Sequence, residues 1–258
     1  MSLLRGIWLV ALNTVRELLR SKLLYNLLLF AVLLIGSSFF IAQLTIGQWD
    51  RIILDLGLAA TEITGVLIAV LIGVGLVAGE IERKTVFPVL ARPLSRGAFL
   101  GGRYLGLAAM LAVNVALMTA SLALVLHAAG YHLSATTAAA ALLILVELLI
   151  MAAAAMFFSS FTTPILASAF SLSLFLIGHL VGSLRLFAEK SKSAAARAVT
   201  LWAYRLLPDL ELFNLKSQAA NELPVPHGAA ATAALYGAAY AAVCLLLAIT
   251  IFSRRDLK

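Results

Sequence analysis

Apolar residues in this chain run for lengths that no soluble core requires. Stretches almost free of charge fall at 23–43, 57–78, 104–128, 136–158, 163–182 and 229–252. About 20 apolar residues in a helix cross a bilayer, so each stretch predicts a transmembrane helix. The fourth and fifth belong to one apolar stretch, 136–182. As a single helix it would be ~70 Å long, against a hydrocarbon core of ~30 Å. It must therefore turn, and Ser159-Ser160-Phe161-Thr162-Thr163-Pro164 is the natural place. The hydroxyls can satisfy freed backbone groups, and the proline ends the helix. The pattern predicts an all-α membrane protein of six spans.

The polar stretches divide in two. On a helical wheel of residues 3–20, Leu4, Ile7, Trp8, Ala11, Leu12, Val15, Leu18 and Leu19 gather on one side. Arg5, Asn13, Arg16, Glu17 and Arg20 gather opposite, and Leu9 is the misfit. This is the pattern of an amphipathic helix lying in the membrane interface, here over 1–22, before the chain turns into its first span. The segment 183–228 is too polar to cross and holds Pro208, Pro224 and Pro226, yet Leu186, Phe187, Leu201, Trp202, Leu206 and Leu207 suit short surface helices. Residues 1–258 thus read as a single transmembrane domain.

Composition sharpens this picture. The chain is 63% hydrophobic and 12% charged, with mean hydropathy +1.04, which excludes an ordinary soluble enzyme and equally excludes disorder. Glu147 is the only charged residue from 104 to 184. The net charge of +7 would suggest nucleic acid in a soluble protein. Here it follows from loop bias instead, and no nucleic-acid partner is expected. With both termini cytoplasmic, twelve Lys and Arg fall inside and seven outside, six of the seven in 183–228. That asymmetry predicts N-in, C-in, with 79–103 cytoplasmic and 183–228 extracytoplasmic. Cys244 is the single cysteine, so neither an intrachain disulfide nor a cysteine metal cluster is possible. Arg16, Glu17, Arg20 and Lys22 interrupt the first residues, which do not read as a signal peptide.

The most informative polar stretch is 79–103. It carries Glu80, Glu82, Arg83, Lys84 and Thr85, then Arg92-Pro93-Leu94-Ser95-Arg96 and Gly101-Gly102-Arg103. Ile81, Val86, Val89 and Leu90 can form an apolar ridge among these charges, a surface suited to docking another protein. An ordinary positive-inside connector would also account for the charge. No G-x-x-x-x-G-K-[ST] occurs, and no Gly-Lys pair, so the chain has no phosphate loop of its own.

These residues, with Asp55-Leu56-Gly57-Leu58, Phe158-Ser159-Ser160, Gly178-His179, Leu207-Pro208-Asp209 and Phe252-Ser253-Arg254-Arg255-Asp256-Leu257, resemble ABC-2 type transporter permeases over nearly the whole chain. The nearest branch is the one of multi-copper-enzyme maturation, including the nitrous-oxide-reductase accessory permease, with gliding-motility permeases beside it. Arg103 departs from that pattern, where lysine is more usual, and Glu62 is unexpected within the second span. The resemblance implies a coupling helix that docks on a separate ATPase, with Glu80, Glu82, Arg83, Lys84 and Thr85 in the docking segment and Pro93, Ser95 and Arg96 at its exit. It implies two ATPase copies holding ATP and Mg2+, no cofactor on this chain, and a second permease copy, identical or homologous. It also implies a bacterial or archaeal cytoplasmic (inner) membrane.

Inside the membrane, Glu62 and Glu147 are costly unless they face protein or water. Glu62 falls about five residues below the outer end of its span and Glu147 near the middle of its own, so a direct pair is not expected. Each is a candidate for cavity polarity, substrate contact or proton coupling. Equally, each could be a carboxyl hydrogen-bonded between helices, with Asn114 and nearby hydroxyls as partners. His127, His132, His179 and His227 all fall at or near the outer side. No two have helical ligand spacing and no cysteine or methionine accompanies them, so they read as interfacial hydrogen-bonding residues and no metal site is expected. Gly36-Ser37-Ser38 lacks the glycine of a serine-protease motif, and no HExxH occurs.

The leading reading is therefore the permease subunit of an ATP-driven exporter. A second keeps the architecture but has it transmit motion to a periplasmic partner, as in enzyme maturation or motility. An intramembrane enzyme is a third class, without a catalytic constellation to support it.

Overall fold

A backbone in hydrocarbon must satisfy its own N–H and C=O groups, so long apolar runs become helices. The computed structural model describes residues 3–43, 49–83, 95–190, 197, 200, 202, 204–221, 223, 225 and 228–254. In chain order its helices are α1 (Leu3–Leu18), α2 (Lys22–Ala42), α3 (Trp49–Arg83), α4 (Arg96–Ala128), α5 (Ala135–Ser159) and α6 (Pro164–Lys190). A 3-10 turn (Leu210–Phe213), α7 (Lys216–Ala220) and α8 (Ala229–Arg254) follow, and no strand occurs among the described residues. Helices α2 to α6 and α8 each hold a stretch long and apolar enough to span, six in all. The turn from α5 to α6 falls at 160–163, where the sequence requires it. Ser159 does more than permit that turn: buried, it donates its hydroxyl to the Val74 carbonyl of α3 at 3.0 Å.

Two spans are longer than hydropathy alone predicts. The second extends from 57–78 to 49–83, because the amphipathic residues 49–56 continue the helix without a glycine or proline break. The third begins at Arg96 rather than 104, because Ser95 caps it by accepting from the Ala98 N–H at 3.2 Å. At its other end Gly130 takes φ +85°, and Tyr131 N–H reaches the Leu126 carbonyl at 2.9 Å, closing the helix in a Schellman turn. We refer to the end of the bundle bearing Gly130 as the upper end.

Helices α3 and α5 lie innermost and run parallel. A Cβ on Gly65 would stand 2.5 Å from Leu148, and one on Gly73 would stand 3.2 Å from the Ala155 Cβ. The run Ala152–Ala155 is fully buried, so these alanines serve packing within the chain. Helix α4 runs antiparallel to α3, with Gly57 against Leu122 and Gly73 against Leu107. At the lower end Val77, Leu100, Met156, Ala248 and Phe252 join α3, α4, α5 and α8 in one apolar cluster.

Helix α1 packs along α4. Its Ala11, Thr14 and Leu18 are buried, while Leu4, Trp8, Leu12 and Leu19 stand exposed about a quarter turn away. One edge is thus held by protein and an apolar stripe is left open, as an interfacial helix requires. Glu17 and Arg103 form an ion pair across the two helices. The approach is close because α4 offers glycine: a Cβ on Gly106 would lie 2.8 Å from the Ala11 carbonyl oxygen. Gly106→Ala should therefore lower stability by about 1–3 kcal/mol through overpacking. Gly101→Ala, with nothing within 4 Å of the new Cβ, should be neutral or slightly stabilising. Thermal unfolding in detergent compares the two; equal shifts would remove close approach as the reason for Gly106.

Candidate functional site

The parallel register of α3 and α5 decides what Glu62 meets. Glu62 lies thirteen residues into α3 and Glu147 twelve into α5, and both helices begin at the upper end. The two glutamates are therefore level, and the expectation that their depths keep them apart is corrected. That expectation started the second span at residue 57, whereas the helix starts at Trp49. Both are buried, at 3% and 1% exposure.

His179 stands between them. It was expected at the outer interface, but α6 continues to Lys190 and leaves it eleven residues from the helix end. Its Nε2 is 3.1 Å from Glu62 Oε1 and 3.6 Å from Glu147 Oε1. Its Nδ1 lies 3.1 Å from the Phe175 carbonyl oxygen. A carbonyl only accepts, so Nδ1 carries a proton and the ring is locked in orientation. The Phe175 ring packs edge-on against the imidazole.

The fourth member comes from a segment that hydropathy places at the surface. Residues 208–220 fold back onto the bundle, burying Leu210 and Phe213 completely. Leu210 sits against Gly178, where a Cβ would lie 2.6 Å from its side chain. The Asp209 N–H donates to the Tyr236 hydroxyl at 3.1 Å, and Phe213 stacks on Tyr236. These contacts set down α7, whose first residue Lys216 donates to Glu62 Oε2. Gly178-His179 and Leu207-Pro208-Asp209, far apart in sequence, thus meet and bring Lys216 to the glutamate.

Glu62, Glu147, His179 and Lys216 form a four-residue ionisable centre in a mostly apolar bundle. It sets two carboxyl groups against one ammonium and one imidazole. The nearby hydroxyls do not join it: Thr61 and Thr64 donate to carbonyls of their own helix. Glu147 Oε1 finds no hydrogen-bond donor among the described residues. Asn114, also buried, has neither side-chain atom paired among them, so it does not serve as the hydrogen-bonding partner of either glutamate.

The residues expected to couple to an ATPase fall elsewhere, at the lower end. Glu80, Glu82 and Arg83 occupy the last turn of α3. Lys84, Thr85 and Pro93 lie outside the described residues. Ser95 caps α4, and Arg96 donates to the carbonyls of Phe252 at 3.3 Å and Ser253 at 3.1 Å, at the C-terminal turn of α8. Guanidinium at a helix C-terminus satisfies orphan carbonyls and opposes the dipole, so Arg96 ties α4 to α8. His127 and His132 come within 6.2 Å of each other, ring to ring, at the upper end, and His227 lies outside the described residues. What sequence reasoning missed was His179 and Lys216. No local spacing marks them, because each of the four members comes from a different helix.

The profile of a family described as ABC-2 family transporter protein matches residues 8–257. No curated protein matches the chain significantly.

The Glu62–Lys216 pair is a buried one, and removing a single partner strands a charge. Lys216→Gln should cost about 2–4 kcal/mol of stability. Lys216→Gln combined with Glu62→Gln should recover most of that loss. A double-mutant cycle by denaturant unfolding in detergent measures the coupling, and additive costs would show that the pair contributes nothing.

Proposed function

The chain belongs to the ABC-2 transporter family, and from that membership we propose that it is the permease subunit coupling ATP hydrolysis in a separate ATPase to work across the cytoplasmic membrane. Two ATPases would serve two permease copies, each of this six-span form. Its branch is that of the accessory permeases of multi-copper-enzyme maturation. ATP and Mg2+ belong to the ATPase.

The observation that carries this reading is the continuity of α3. One helix of 35 residues runs from Trp49 to Arg83, with Glu62 in its upper half and Glu80, Glu82 and Arg83 on its last turn. About 30 Å of rigid helix separates the two. A push delivered at 80–85 by ATPase closure would therefore move the polar centre, without an intervening hinge. Pro93, Ser95 and Arg96 then frame the exit from the docking segment, Arg96 by holding α8 to α4. Helix α1, pinned to α4, would tilt with them. Two states result, biased by whichever the ATPase binds more tightly.

Export of a substrate is the reading favoured by a charged centre buried among the spans. Transmission to a periplasmic partner is favoured by the folded-back segment 208–220, which reaches from the outer face to Glu62. In both, the termini and 79–103 are cytoplasmic and 183–228 extracytoplasmic.

Charge reversal at Glu82 or Arg83 should abolish stimulation of the co-expressed ATPase while membrane insertion stays normal. Unchanged ATPase activity would remove 80–85 from the coupling route. A cysteine placed at Lys192 should react with impermeant reagent from outside the cell. Labelling only after the cytoplasmic side is opened would invert the topology.

A further inference from the structure

Three candidate ligand atoms converge in the polar centre. Glu62, Glu147 and His179, from three helices, each offer one ligand atom within 4.8 Å of the other two, with His179 Nε2 facing Oε1 of both glutamates. The Phe175 carbonyl fixes a proton on Nδ1, so in the neutral imidazole the lone pair is on Nε2. Neither carboxylate oxygen is aligned with Nε2 as a hydrogen-bond partner, although they lie 3.1 and 3.6 Å away. Glu147 is 1% exposed, and its Oε1 has no partner among the described residues. Lys216 answers only Oε2 of Glu62, on the far side of that carboxylate. With the imidazole neutral, lone pairs so arranged repel each other unless a cation sits among them.

We propose that Glu62, Glu147 and His179 bind a divalent first-row transition-metal ion of the Zn2+ or Co2+ kind. The donor set, two carboxylates and one imidazole, suits these ions. So does the spacing: ligands ~2.1 Å from a tetrahedral metal stand ~3.4 Å apart, and the two histidine contacts bracket that distance. The supports expected of a metal site are present. The Phe175 carbonyl orients the imidazole, and Lys216 orients Glu62. His179 and Lys216 keep about a fifth of their side-chain surface exposed, so the site is not sealed within the bundle. Three ligands leave a fourth position for water or a further ligand. This site is independent of the coupling reading, since binding requires no ATPase.

The test uses the full chain in detergent with Co2+ as optical probe. One Co2+ should bind per chain, with visible bands of tetrahedral intensity, reversed by EDTA and displaced by Zn2+. His179→Gln and Glu147→Gln should each weaken binding by about 100-fold or more, since loss of outer-shell support alone costs 10- to 100-fold. His179→Cys should restore binding and add a sulfur-to-cobalt charge-transfer band that the wild type, with its native Cys244, lacks. That band reports residue 179 as a ligand, which a merely structural role would not produce. Absence of Co2+ binding to folded wild type would overturn the proposal and leave a shared proton as the cation. Binding undiminished by both glutamine substitutions, or a His179→Cys variant that binds without the new band, would overturn it equally.

Discussion

A carboxylate as deeply buried as Glu62 demands a countercharge, because the cost of an uncompensated ion among apolar helices amounts to several kcal/mol. Lys216 supplies it, and much of the upper half of the molecule is arranged so that it can. The ammonium arrives on α7, a helix of only five residues that could not hold its place alone. Leu210 and Phe213 anchor the segment in the bundle, Gly178 makes room for Leu210, and Tyr236 of α8 fastens Asp209 and stacks on Phe213. One ion pair therefore organises contacts among α3, α6, α7 and α8.

The lower half is built on a different principle. There the links are backbone approaches at small residues and charges spent on helix ends: Gly102 and Gly106 under α1, Arg103 to Glu17, and Arg96 to the last carbonyls of α8. Helix α4 is the common partner in all of them. Between the halves, α3 and α5 lie side by side along a seam of Gly65, Gly73, Ala152 and Ala155, and neither contains a proline or a described break. Such a pair is packed along its length without an intervening break. The polar centre thus sits where a rigid element from the lower end meets a tethered segment from the upper end.

Much of the fold was legible in the chain itself. The six spans, the turn at 160–163 and the amphipathic α1 follow from run length, a Ser/Thr/Pro cluster and the angular sorting of Leu4, Trp8 and Arg16, all of which are local. Helix ends were less legible, because hydropathy marks where a segment is apolar and not where it stops being helical. That difference moved the start of the second span by eight residues and with it the depth of Glu62. The single charged residue in a long uncharged stretch, Glu147, was visible at once as a residue needing a partner. The partner was not visible.

What the sequence determined by itself is the class of molecule: an all-α bundle of six spans, charged chiefly at the ends of its helices, without a nucleotide-binding loop of its own. Hydrophobicity, proline and glycine act over a few neighbouring residues, so their consequences can be read in order along the chain. Only the tertiary structure decided that Glu62, Glu147, His179 and Lys216 share one site. Their approach depends on helix register, on the parallel run of α3 and α5, and on the folding back of 208–220. Those are set by side-chain packing between segments up to 154 residues apart, a sum of many weak contacts that no local pattern displays.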